Sequence, residues 1–450
     1  MHRRQFLAAA AATMAAPAAQ AQAAGFVTSD FAPLKRVVVC EPSVHDYIVT
    51  ITDETLFPGS ERVSQAMVDQ HRALQALLRQ SGAEVLELRD LVQSAIDNAR
   101  SKGVWQTWLR TTHPRIAARH ATVTADLLLG RDPAVQFEAD EAGAYRHYVD
   151  GAAAKMFTRD IGVMTPKGML LSNFLFPHRR IEAVVARFLF DFAPQLSRYP
   201  IVVDFTEEDL IAEGGDFQVV DADTLFMATG NRTDPRAAPL LARRLNMDVV
   251  AVQTRKADIL SRRSDWGPIR RVLLHLDTYF THLGPKRALA LPWLLESEFA
   301  ETNPLTRYFR GMARSGGISE DDAEAAAGFL KDFGVVSRFK AGSGEADPKV
   351  KDMKLVDYVR REGYRVDFVG GTPPKDPDLQ YLFDVVMDEH SRQAANVVAT
   401  APLQVVAYGG SPRTHEGLRQ AGVQVSAFEA RELWPGNGGP HCLTLPLERA

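Results

Sequence analysis

The chain has 450 residues, of which 46% are hydrophobic and 24% are charged, a composition typical of a folded globular protein. Its formal net charge is −4, with 52 basic and 56 acidic residues mixed along the sequence. Because no basic block stands out, nucleic acid is excluded as an expected partner. The length is enough for one large domain or two ordinary ones.

Residues 1–23 have the pattern of an export signal. Arg3 and Arg4 precede an alanine-rich apolar stretch, and small residues of the A-x-A cleavage type follow at 19–23. The paired arginines resemble a twin-arginine signal, so we expect contact with the twin-arginine export machinery and a periplasmic or secreted location. The stretch is too short to span a membrane, and no other segment is apolar enough, so we expect no membrane contact after the signal is removed.

A strand–strand–helix–strand unit recurs five times after the signal. The clearest copy has strands at 217–220, 224–228 and 248–252, with a helix that begins at Asp234-Pro235, a good N-cap and first-turn pair. The remaining copies occupy residues 34–88, 162–204, 272–369 and 396–428. Five copies of one supersecondary unit predict an α/β fold built as a radial repeat over residues 27–450.

Two insertions interrupt this period. Residues 90–150 favour helix, with helices predicted at 90–101 and 134–148, and they predict an inserted helical region. The second insertion, residues 293–350, contains a predicted helix at 320–333 and a Gly/Ser segment at 341–344 that predicts a mobile loop. We expect this second insertion to form a lid.

The chain has two cysteines, and the more informative one lies near its C-terminus. Cys442 follows Gly438-Gly439 and opens an alternating apolar run, which predicts a thiol at the start of a strand that a ligand can approach. Taken alone, it is better explained as a buried inert thiol. Cys40 ends a strand-like run and predicts a buried strand thiol, although an oxidising compartment leaves a Cys40–Cys442 disulfide open.

Three short motifs carry acids or a histidine. In the strand-like run 273–280, period-two geometry puts His275 and Asp277 on one face, about 7 Å apart. They could be a base and a cation-binding carboxylate, or an exposed pair. Glu213-Gly214-Gly215-Asp216 places two acids around a Gly-Gly step and alone fits an ordinary turn. Phe157-Thr158-Arg159-Asp160 places Asp160 at another strand entrance, and alone it could be surface charge.

The combination has a chemical meaning that the single motifs lack. A thiol, a histidine and several acids each lie at a strand entrance of a repeat, and in a five-unit ring these entrances would converge. Clustered carboxylates repel one another unless a cation arrives. A planar guanidinium with five N–H donors matches carboxylates in bidentate fashion. The combination therefore predicts a small-molecule guanidino substrate.

The ordered set of motifs resembles the guanidine-modifying superfamily, the pentein or five-bladed α/β-propeller enzymes, and most closely the arginine deiminases. The inserted residues 90–150 also resemble the helical domain of arginine deiminases. The resemblance implies a pseudo-fivefold ring of ββαβ units. The matching segments are 29–42, 157–160, 213–216, 231–233, 275–281, 395–397 and 438–447.

The resemblance also implies catalytic roles. Cys442 would attack the guanidinium carbon and form a covalent amidino-thioether. His275 would protonate the departing ammonia and then activate water, paired with Glu213. Asp160 and Asp277 would hold the guanidinium nitrogens.

Further residues would bind the rest of the substrate. Asp216 is expected among the substrate-binding residues, and Arg179 (or Arg180) and Arg232 would grip the substrate carboxylate. Two positions depart from the family pattern, since Ala154 stands where an asparagine is usual and Asn437 where a loop arginine is frequent. The substrate could therefore be a close relative of arginine.

The expected reaction is hydrolysis of L-arginine or a close analogue to a ureido product, citrulline in the case of arginine, and ammonia. No cofactor and no metal is implied, although Cys442, His275 and Asp277 could ligate zinc by ligand type. An amidinotransferase that uses the same cysteine and histidine stays open, as does a non-catalytic periplasmic guanidine-binding protein. A binding protein would not need the thiol.

Overall fold

The computed structural model describes residues 26–46, 62–131, 155–254, 274–350 and 352–450, together with the backbone of two strands at 136–139 and 145–148. The predicted signal at 1–23 and Ala154 lie outside the described residues. Within those residues, no helix has both the length and the apolar character needed to cross a membrane.

The chain is a mixed α/β protein with short strands. In chain order the strands are β1 (Leu34–Val39), β2 (Glu84–Glu87), β3 (Gln136–Ala139), β4 (Tyr145–Tyr148), β5 (Gly162–Thr165), β6 (Gly168–Leu171), β7 (Ile201–Asp204), β8 (Phe217–Val219), β9 (Thr224–Thr229), β10 (Asp248–Gln253), β11 (Phe280–Gly284), β12 (Arg287–Ala290), β13 (Val336–Phe339), β14 (Arg365–Phe368), β15 (Val398–Ala401), β16 (Gln404–Tyr408), β17 (Gln424–Phe428) and β18 (Leu445–Arg449).

The helices connect these strands or form the inserted regions. The α-helices span Gln65–Gln80, Leu88–Ser101, Trp105–Thr112, Pro114–Arg119, Ala125–Leu128, Arg180–Phe192, Ala237–Leu245, Leu276–Tyr279, Pro304–Arg314, Glu320–Asp332, Leu355–Arg361, Leu379–Tyr381, Asp388–Ser391 and Pro412–Gln420. Short 3₁₀ turns lie at Thr158–Ile161, Pro177–Arg179, Pro194–Leu196, Gly214–Asp216, Ser297–Phe299 and Trp434–Gly436, and a π-helical segment spans Leu382–Met387.

Among the described residues, five sheets share one topology. In each, an antiparallel pair of strands is followed by a third strand that runs parallel to the second. A parallel partner requires a crossover, and a helix supplies it in each case. The predicted ββαβ topology is therefore present, although the copy predicted at 34–88 takes its first strand from β18 at the other end of the chain. The sheet orders are β18-β1-β2, β5-β6-β7, β13-β10-β9-β8, β11-β12-β14 and β15-β16-β17.

The two ends of the chain share a sheet. Strand β1 pairs antiparallel with β18, with Val38 opposite Leu445, and parallel with β2, with Val37 beside Val85. Strand β18, the last in the sequence, is therefore the first strand of a ββαβ unit whose other two strands are β1 and β2. This pairing places the turn that carries Cys442 beside the N-terminal strand.

Two predicted elements are wrong. The helix predicted at 134–148 is a hairpin, in which β3 and β4 pair antiparallel with Gln136 opposite Tyr148. Aromatic residues near both ends of this segment favour strand, and Gly143 lies between the two strands. Of the strand predicted at 273–280, the structure describes the part from Leu274, and there the strand begins only at Phe280 because Leu276–Tyr279 form a helical turn.

The second insertion adds secondary structure to the core. Strand β13 pairs antiparallel with β10, with Val249 opposite Phe339, and extends that sheet to four strands. The Gly/Ser segment forms a turn rather than a free loop, since the Ala341 N–H donates to Asp248 (2.8 Å) and the Gly342 N–H donates to the Ala242 carbonyl (2.9 Å). A lid role for the insertion stays a prediction.

Candidate active site

The predicted site residues lie in turns that lead into the first strand of a sheet. Asp160 is in the 3₁₀ turn before β5, and Glu213 precedes the 3₁₀ turn before β8. His275 caps the helical turn before β11, and Asp277 lies within that turn. Cys442 is in the turn before β18. The prediction that these residues occupy strand entrances is confirmed.

The local geometry differs from the predicted strands at two of these entrances. Cys442 lies in a turn rather than on a strand, because β18 begins only at Leu445. The segment from Leu276 turns helically, and the Thr278 hydroxyl donates to the His275 carbonyl (2.7 Å). Short polar side chains such as Asp277 and Thr278 favour such turns over strands.

His275 is held between two carboxylates. Its Nε2–H donates to Glu213 Oε2 (3.0 Å), and its Nδ1 lies 3.6 Å from Asp160 Oδ1. All three side chains are fully buried. Burial alone would lower the pKa of His275, but Asp160 and Glu213 outweigh it and raise that pKa to about 9. His275 is therefore protonated at neutral pH in the free protein.

Two arginines contact the carboxylates that hold His275. Arg179 Nη1 donates to Asp160 Oδ2 (3.0 Å), and its Nε and Nη2 grip Glu182 at 3.2 and 2.9 Å. Arg232 Nη1 donates to Glu213 Oε2 (2.9 Å). Although burial opposes its ionisation, these cations together with His275 hold the pKa of Glu213 well below its usual range.

Arg179 and Arg180, the two residues predicted as alternatives for binding the substrate carboxylate, differ in burial. Arg179 is fully buried in the site, whereas Arg180 is exposed and its Nε donates to the Phe174 carbonyl (3.4 Å). Arg179 and Arg232 also lie over the rings of Phe174 and Phe176, at 4.5 and 4.2 Å from the centroids. Both site arginines are thus fixed by packing as well as by charge.

Asp216 supports the site from behind. Its Oδ2 accepts from the Thr233 hydroxyl (2.6 Å), and its Oδ1 accepts from the Leu276 N–H at the start of the His275 turn (3.2 Å). Burial raises its pKa to about 7. With both oxygens engaged, Asp216 is placed to anchor the His275 turn rather than to touch a ligand.

Cys442 is buried against an apolar cluster on one side and polar groups on the other. Its Sγ lies 3.1 Å from Asn396 Nδ2, which donates to it, and 3.4 Å from Asp277 Oδ2. The Cys442 N–H donates to Asn396 Oδ1 (3.0 Å). Burial raises the pKa of the thiol well above its usual value, and the carboxylates of Asp277 and Asp160 raise it further. The free protein therefore holds a thiol, not a thiolate.

Asp277 is held by a histidine that the sequence analysis did not select. His441 Nδ1 lies 2.8 Å from Asp277 Oδ2, and its Nε2 lies 2.6 Å from Arg159 Nη2. Arg159 Nη2 also donates to Asp30 Oδ1 (3.2 Å). All four side chains are buried. Burial would raise the pKa of Asp277, but the hydrogen bond from His441 and nearby positive charge lower it, so the carboxylate stays ionised.

At this site, three buried polar side-chain atoms lack a hydrogen-bond partner among the described residues. They are Asp160 Oδ1, Asp277 Oδ1 and His275 Nδ1. Buried polar atoms normally find a partner, because leaving one unsatisfied costs about 1–3 kcal/mol. Two of these atoms are acceptors on carboxylates, and Asp277 also lies within 3.4 Å of the Cys442 sulfur through its other oxygen. The arrangement is suited to a ligand that carries several N–H donors.

A metal ion fits this group less well. Among the described residues, Asp160, Glu213 and His275 bring ligand atoms within 4.8 Å of one another, all of them buried. Arg179 and Arg232 already contact the two carboxylates at 3.0 and 2.9 Å. A divalent ion would sit beside two fixed guanidinium groups, which would repel it.

Cys40 lies outside this group. It is a free, fully buried thiol, as predicted, but it lies directly after β1 rather than within the strand, and burial raises its pKa far above the usual value. Asn437 is buried in a left-handed conformation (φ 60°) in the loop before the Cys442 turn. The disulfide that the sequence left open does not form in this structure, since both cysteines are free.

Asn396, His441, Arg159 and Asp30 are the residues that the sequence analysis missed as site components. Each of them lies in a motif that carried the resemblance, within segments 29–42, 157–160, 395–397 and 438–447. Their sequence signal was therefore present, but their contacts join residues far apart in the sequence, such as Arg159 and His441 or Asn396 and Cys442. No local pattern shows such a pairing.

The sequence matches one family model over most of its length. The model described as "Arginine deiminase" matches residues 54–307 and 385–449. Arginine deiminase from Metamycoplasma hominis is 24% identical over 449 residues, covering 94% of this chain and 96% of that protein. Arginine deiminase from Listeria welshimeri is 24% identical over 455 residues, covering 94% and 98%. These matches define a hydrolase that acts on C–N bonds of linear amidines. The chain belongs to the arginine deiminase family.

Solved structures of related proteins are more distant. The N-terminal domain of ArgZ, a cyanobacterial arginine dihydrolase bound to its product, is 15% identical with a TM-score of 0.48, covering 92% of this chain and 97% of that one. DDAH from Pseudomonas aeruginosa in complex with citrulline is 13% identical with a TM-score of 0.47, covering 92% and 99%. At these TM-scores the likeness adds nothing to the family assignment.

Proposed function

We propose that this protein hydrolyses the guanidino group of L-arginine or a close analogue to a ureido product and ammonia, through a covalent intermediate on Cys442. The observation that carries the proposal is a pair of buried carboxylate oxygens, Asp160 Oδ1 and Asp277 Oδ1, that have no hydrogen-bond partner among the described residues. A substrate guanidinium offers five N–H donors in one plane and can satisfy both oxygens at once.

The charge of the site supports a monovalent cation. Four carboxylates (Asp160, Glu182, Glu213 and Asp277) face three cations (Arg179, Arg232 and protonated His275), which leaves 4 − 3 = 1 net negative charge. Asp216 is set apart because its carboxyl has a pKa of about 7. One guanidinium balances this charge, whereas a neutral ligand would leave it buried and unpaired, at a high energetic cost.

The first half-reaction forms the intermediate. The arriving guanidinium offsets the carboxylates that raise the thiol pKa, so the thiol proton leaves to solvent. The Cys442 sulfur then bonds to the guanidinium carbon, and the C–N π electrons move to nitrogen. His275 donates its Nδ1 proton to the departing nitrogen, the C–N bond breaks, and ammonia leaves an amidino-thioether on Cys442.

The second half-reaction returns the enzyme. His275, now neutral, accepts a proton from a water molecule whose oxygen bonds to the amidino carbon. The C–S bond breaks, the sulfur leaves with its electron pair, and the ureido product's extra proton returns to it. The proton released during substrate binding converts ammonia to ammonium, so the overall balance is guanidinium plus water to urea derivative plus ammonium.

Arg179 and Arg232 are proposed to serve the carboxylate end of the substrate as well as the acids of the site. Their positive charges are fixed by Glu182, Asp160 and Glu213, and the rings beneath them hold their planes. Asn437 replaces a frequent family arginine, so the grip on the substrate carboxylate is reduced by one charge. Close analogues of arginine are therefore candidates beside arginine itself.

Two broader proposals accompany this function. We propose that the five sheets are arranged as the five blades of a pseudo-fivefold ring, which is supported by their shared ββαβ topology and by site residues at their entrances. We also propose export by the twin-arginine route to the periplasm, supported by the pattern at 1–23. Cell fractionation of wild type and an Arg3→Lys, Arg4→Lys variant tests export, and equal periplasmic yield would contradict it.

The experiment is a substrate panel with a matched pair of cysteine variants. Purified protein is incubated with arginine, agmatine, methylated arginines and guanidino acids, and ammonia and ureido product are measured. We expect turnover of one or more of these compounds, a loss of more than about a thousandfold in Cys442→Ser, and near wild-type rates in Cys40→Ser. Turnover in Cys442→Ser equal to wild type contradicts the proposal.

The remaining outcomes separate the alternatives. Product that forms only when an amine acceptor is added, with no ureido product in water, indicates an amidinotransferase. Binding of guanidino compounds without any turnover, equal in wild type and Cys442→Ser, indicates a binding protein. Either result replaces the hydrolase proposal.

A further inference from the structure

We propose that His441, fixed by Arg159 and Asp30, is a positioning residue that orients Asp277 for the substrate guanidinium. The inference rests on the proposed function, because it concerns how that site recognises its cation. His441 does not touch the reacting atoms; it acts through the carboxylate of Asp277.

The four residues form one buried chain of hydrogen bonds. Asp30 Oδ2 accepts from the Val219 N–H (2.9 Å), and Asp30 Oδ1 accepts from Arg159 Nη2 (3.2 Å). Arg159 Nη2 lies 2.6 Å from His441 Nε2, and His441 Nδ1 lies 2.8 Å from Asp277 Oδ2. The chain ends next to the thiol, since Asp277 Oδ2 is 3.4 Å from Cys442 Sγ.

The partners determine which nitrogen of His441 carries the proton. A guanidinium can only donate, so Nε2 must accept from Arg159 and be unprotonated. The proton is then on Nδ1, which donates to Asp277. Burial and the nearby charge of Arg159 lower the pKa of His441 and keep the imidazole neutral, although Asp277 and Asp30 act in the opposite direction.

A neutral donor at this position has a specific consequence for recognition. It fixes Oδ2 of Asp277 and leaves Oδ1, which has no protein partner among the described residues, for the ligand. It also leaves the negative charge of Asp277 unneutralised, whereas a protonated histidine would compete with the substrate for that charge. The charge of Arg159 is matched by that of Asp30, so the residues behind Asp277 add no net charge to the site.

Backbone hydrogen bonds also connect these residues to the turn that carries Cys442. The Arg159 N–H donates to the Cys442 carbonyl (3.1 Å), and the His441 N–H donates to the Asn396 carbonyl (3.3 Å). The turn that carries Cys442 and the turn that carries Asp160 are therefore connected through the same residues. A structural role alone would explain these backbone hydrogen bonds, but it would not explain why the side-chain hydrogen bonds from Arg159 to His441 and from His441 to Asp277 both donate in the direction that leads to Asp277.

The test uses two substitutions that differ in one hydrogen bond. His441→Asn keeps an N–H donor near the position of Nδ1, whereas His441→Leu removes it with little change in volume. In the Cys442→Ser background, in which we expect no turnover, the arginine Kd measured by calorimetry should rise roughly 10- to 100-fold for Leu and less than about 5-fold for Asn. With Cys442 intact, the Leu variant should raise KM more than it lowers kcat.

A spectroscopic measurement keeps the proposal testable if the Leu variant does not fold. Nitrogen-15 NMR of histidine-labelled wild-type protein reports the tautomer directly, and we expect His441 to be neutral with its proton on Nδ1 at pH 7. A proton on Nε2, or an unchanged Kd in a folded Leu variant, overturns the inference. Absence of turnover in wild type would overturn the proposed function instead. The NMR result would still decide which nitrogen of His441 carries the proton.

Discussion

Gly215 is the position at which one added methyl group should disable the site. A Cβ at this residue would lie 2.5 Å from His275 Nδ1, 2.9 Å from His275 Cγ and 3.1 Å from Asp160 Oδ1. Ordinary van der Waals contact begins at 3.4 Å, so the imidazole would have to move by about 0.9 Å. The displaced atom, Nδ1, is the one proposed to carry the proton.

The expected loss follows from this displacement. A shift of about 1 Å in a catalytic group can cost roughly 100-fold in rate, and overpacking a buried site costs about 1–3 kcal/mol of stability. We therefore expect Gly215→Ala to fold with a modest loss of stability and to lose about 100-fold or more in kcat. His275 cannot move freely, because Glu213 holds its Nε2 at 3.0 Å.

The assay pairs this variant with a glycine that has open space. Gly328 lies in the helix Glu320–Asp332, and a Cβ there meets no atom within 4 Å. Gly328→Ala should keep wild-type turnover and gain up to about 1 kcal/mol in stability. Ureido product formation and urea unfolding are measured for both. Wild-type kcat in a folded Gly215→Ala variant would refute the close packing of Gly215 against His275.

Three further predictions follow from single contacts. Because the pKa of His275 is raised from 6.5 to about 9, its charge contributes roughly 3 kcal/mol of stability that is complete below about pH 6.5 and is lost as the pH rises through about 9. Urea unfolding of wild type and His275→Gln, compared below pH 6.5 and above pH 9, should show this difference, and a pH-independent difference would contradict it. Asn396→Leu removes the donor to Cys442 Sγ and should lower kcat roughly 10- to 100-fold in the ureido assay, so an unchanged kcat would show that this bond is not used. Glu182→Gln leaves the buried charge of Arg179 less compensated and should lower the free energy of unfolding in urea by about 3 kcal/mol. Glu324→Gln, at an exposed pair with Arg310, should leave the unfolding curve unchanged, and equal effects of the two variants would contradict the role of burial.

The repeat and the chemical residues were accessible from sequence because their signals are local. Each ββαβ unit has short apolar runs separated by turn residues, and these fall within a few residues of the observed strands. The sequence indicates the site residues because each motif lies at the entrance of a unit. Cys442 gained its meaning from this order, since its own neighbours also fit an inert thiol.

The parts that were missed depend on contacts between distant residues. The run 273–280 is apolar enough to predict a strand, yet the Leu276 N–H is bonded to Asp216, which lies sixty residues earlier. The donor that fixes Asp277 comes from His441, which lies 164 residues later in the sequence. Local propensity contains neither of these two contacts. The hairpin of β3 and β4 is a different case, because its strands pair over a few residues and the wrong helix prediction follows from the acidic and alanine residues in its middle.

The covalent step on Cys442 is the central claim, and a single-turnover experiment tests it most directly. Excess protein is mixed with arginine labelled at the guanidino carbon, quenched with acid at successive times, and digested for mass spectrometry. We predict that label appears on the peptide that contains Cys442, then decays as ureido product forms, and is absent from the Cys40 peptide. Product formation with no label on Cys442 at any time, and with turnover intact in Cys442→Ser, would contradict the account.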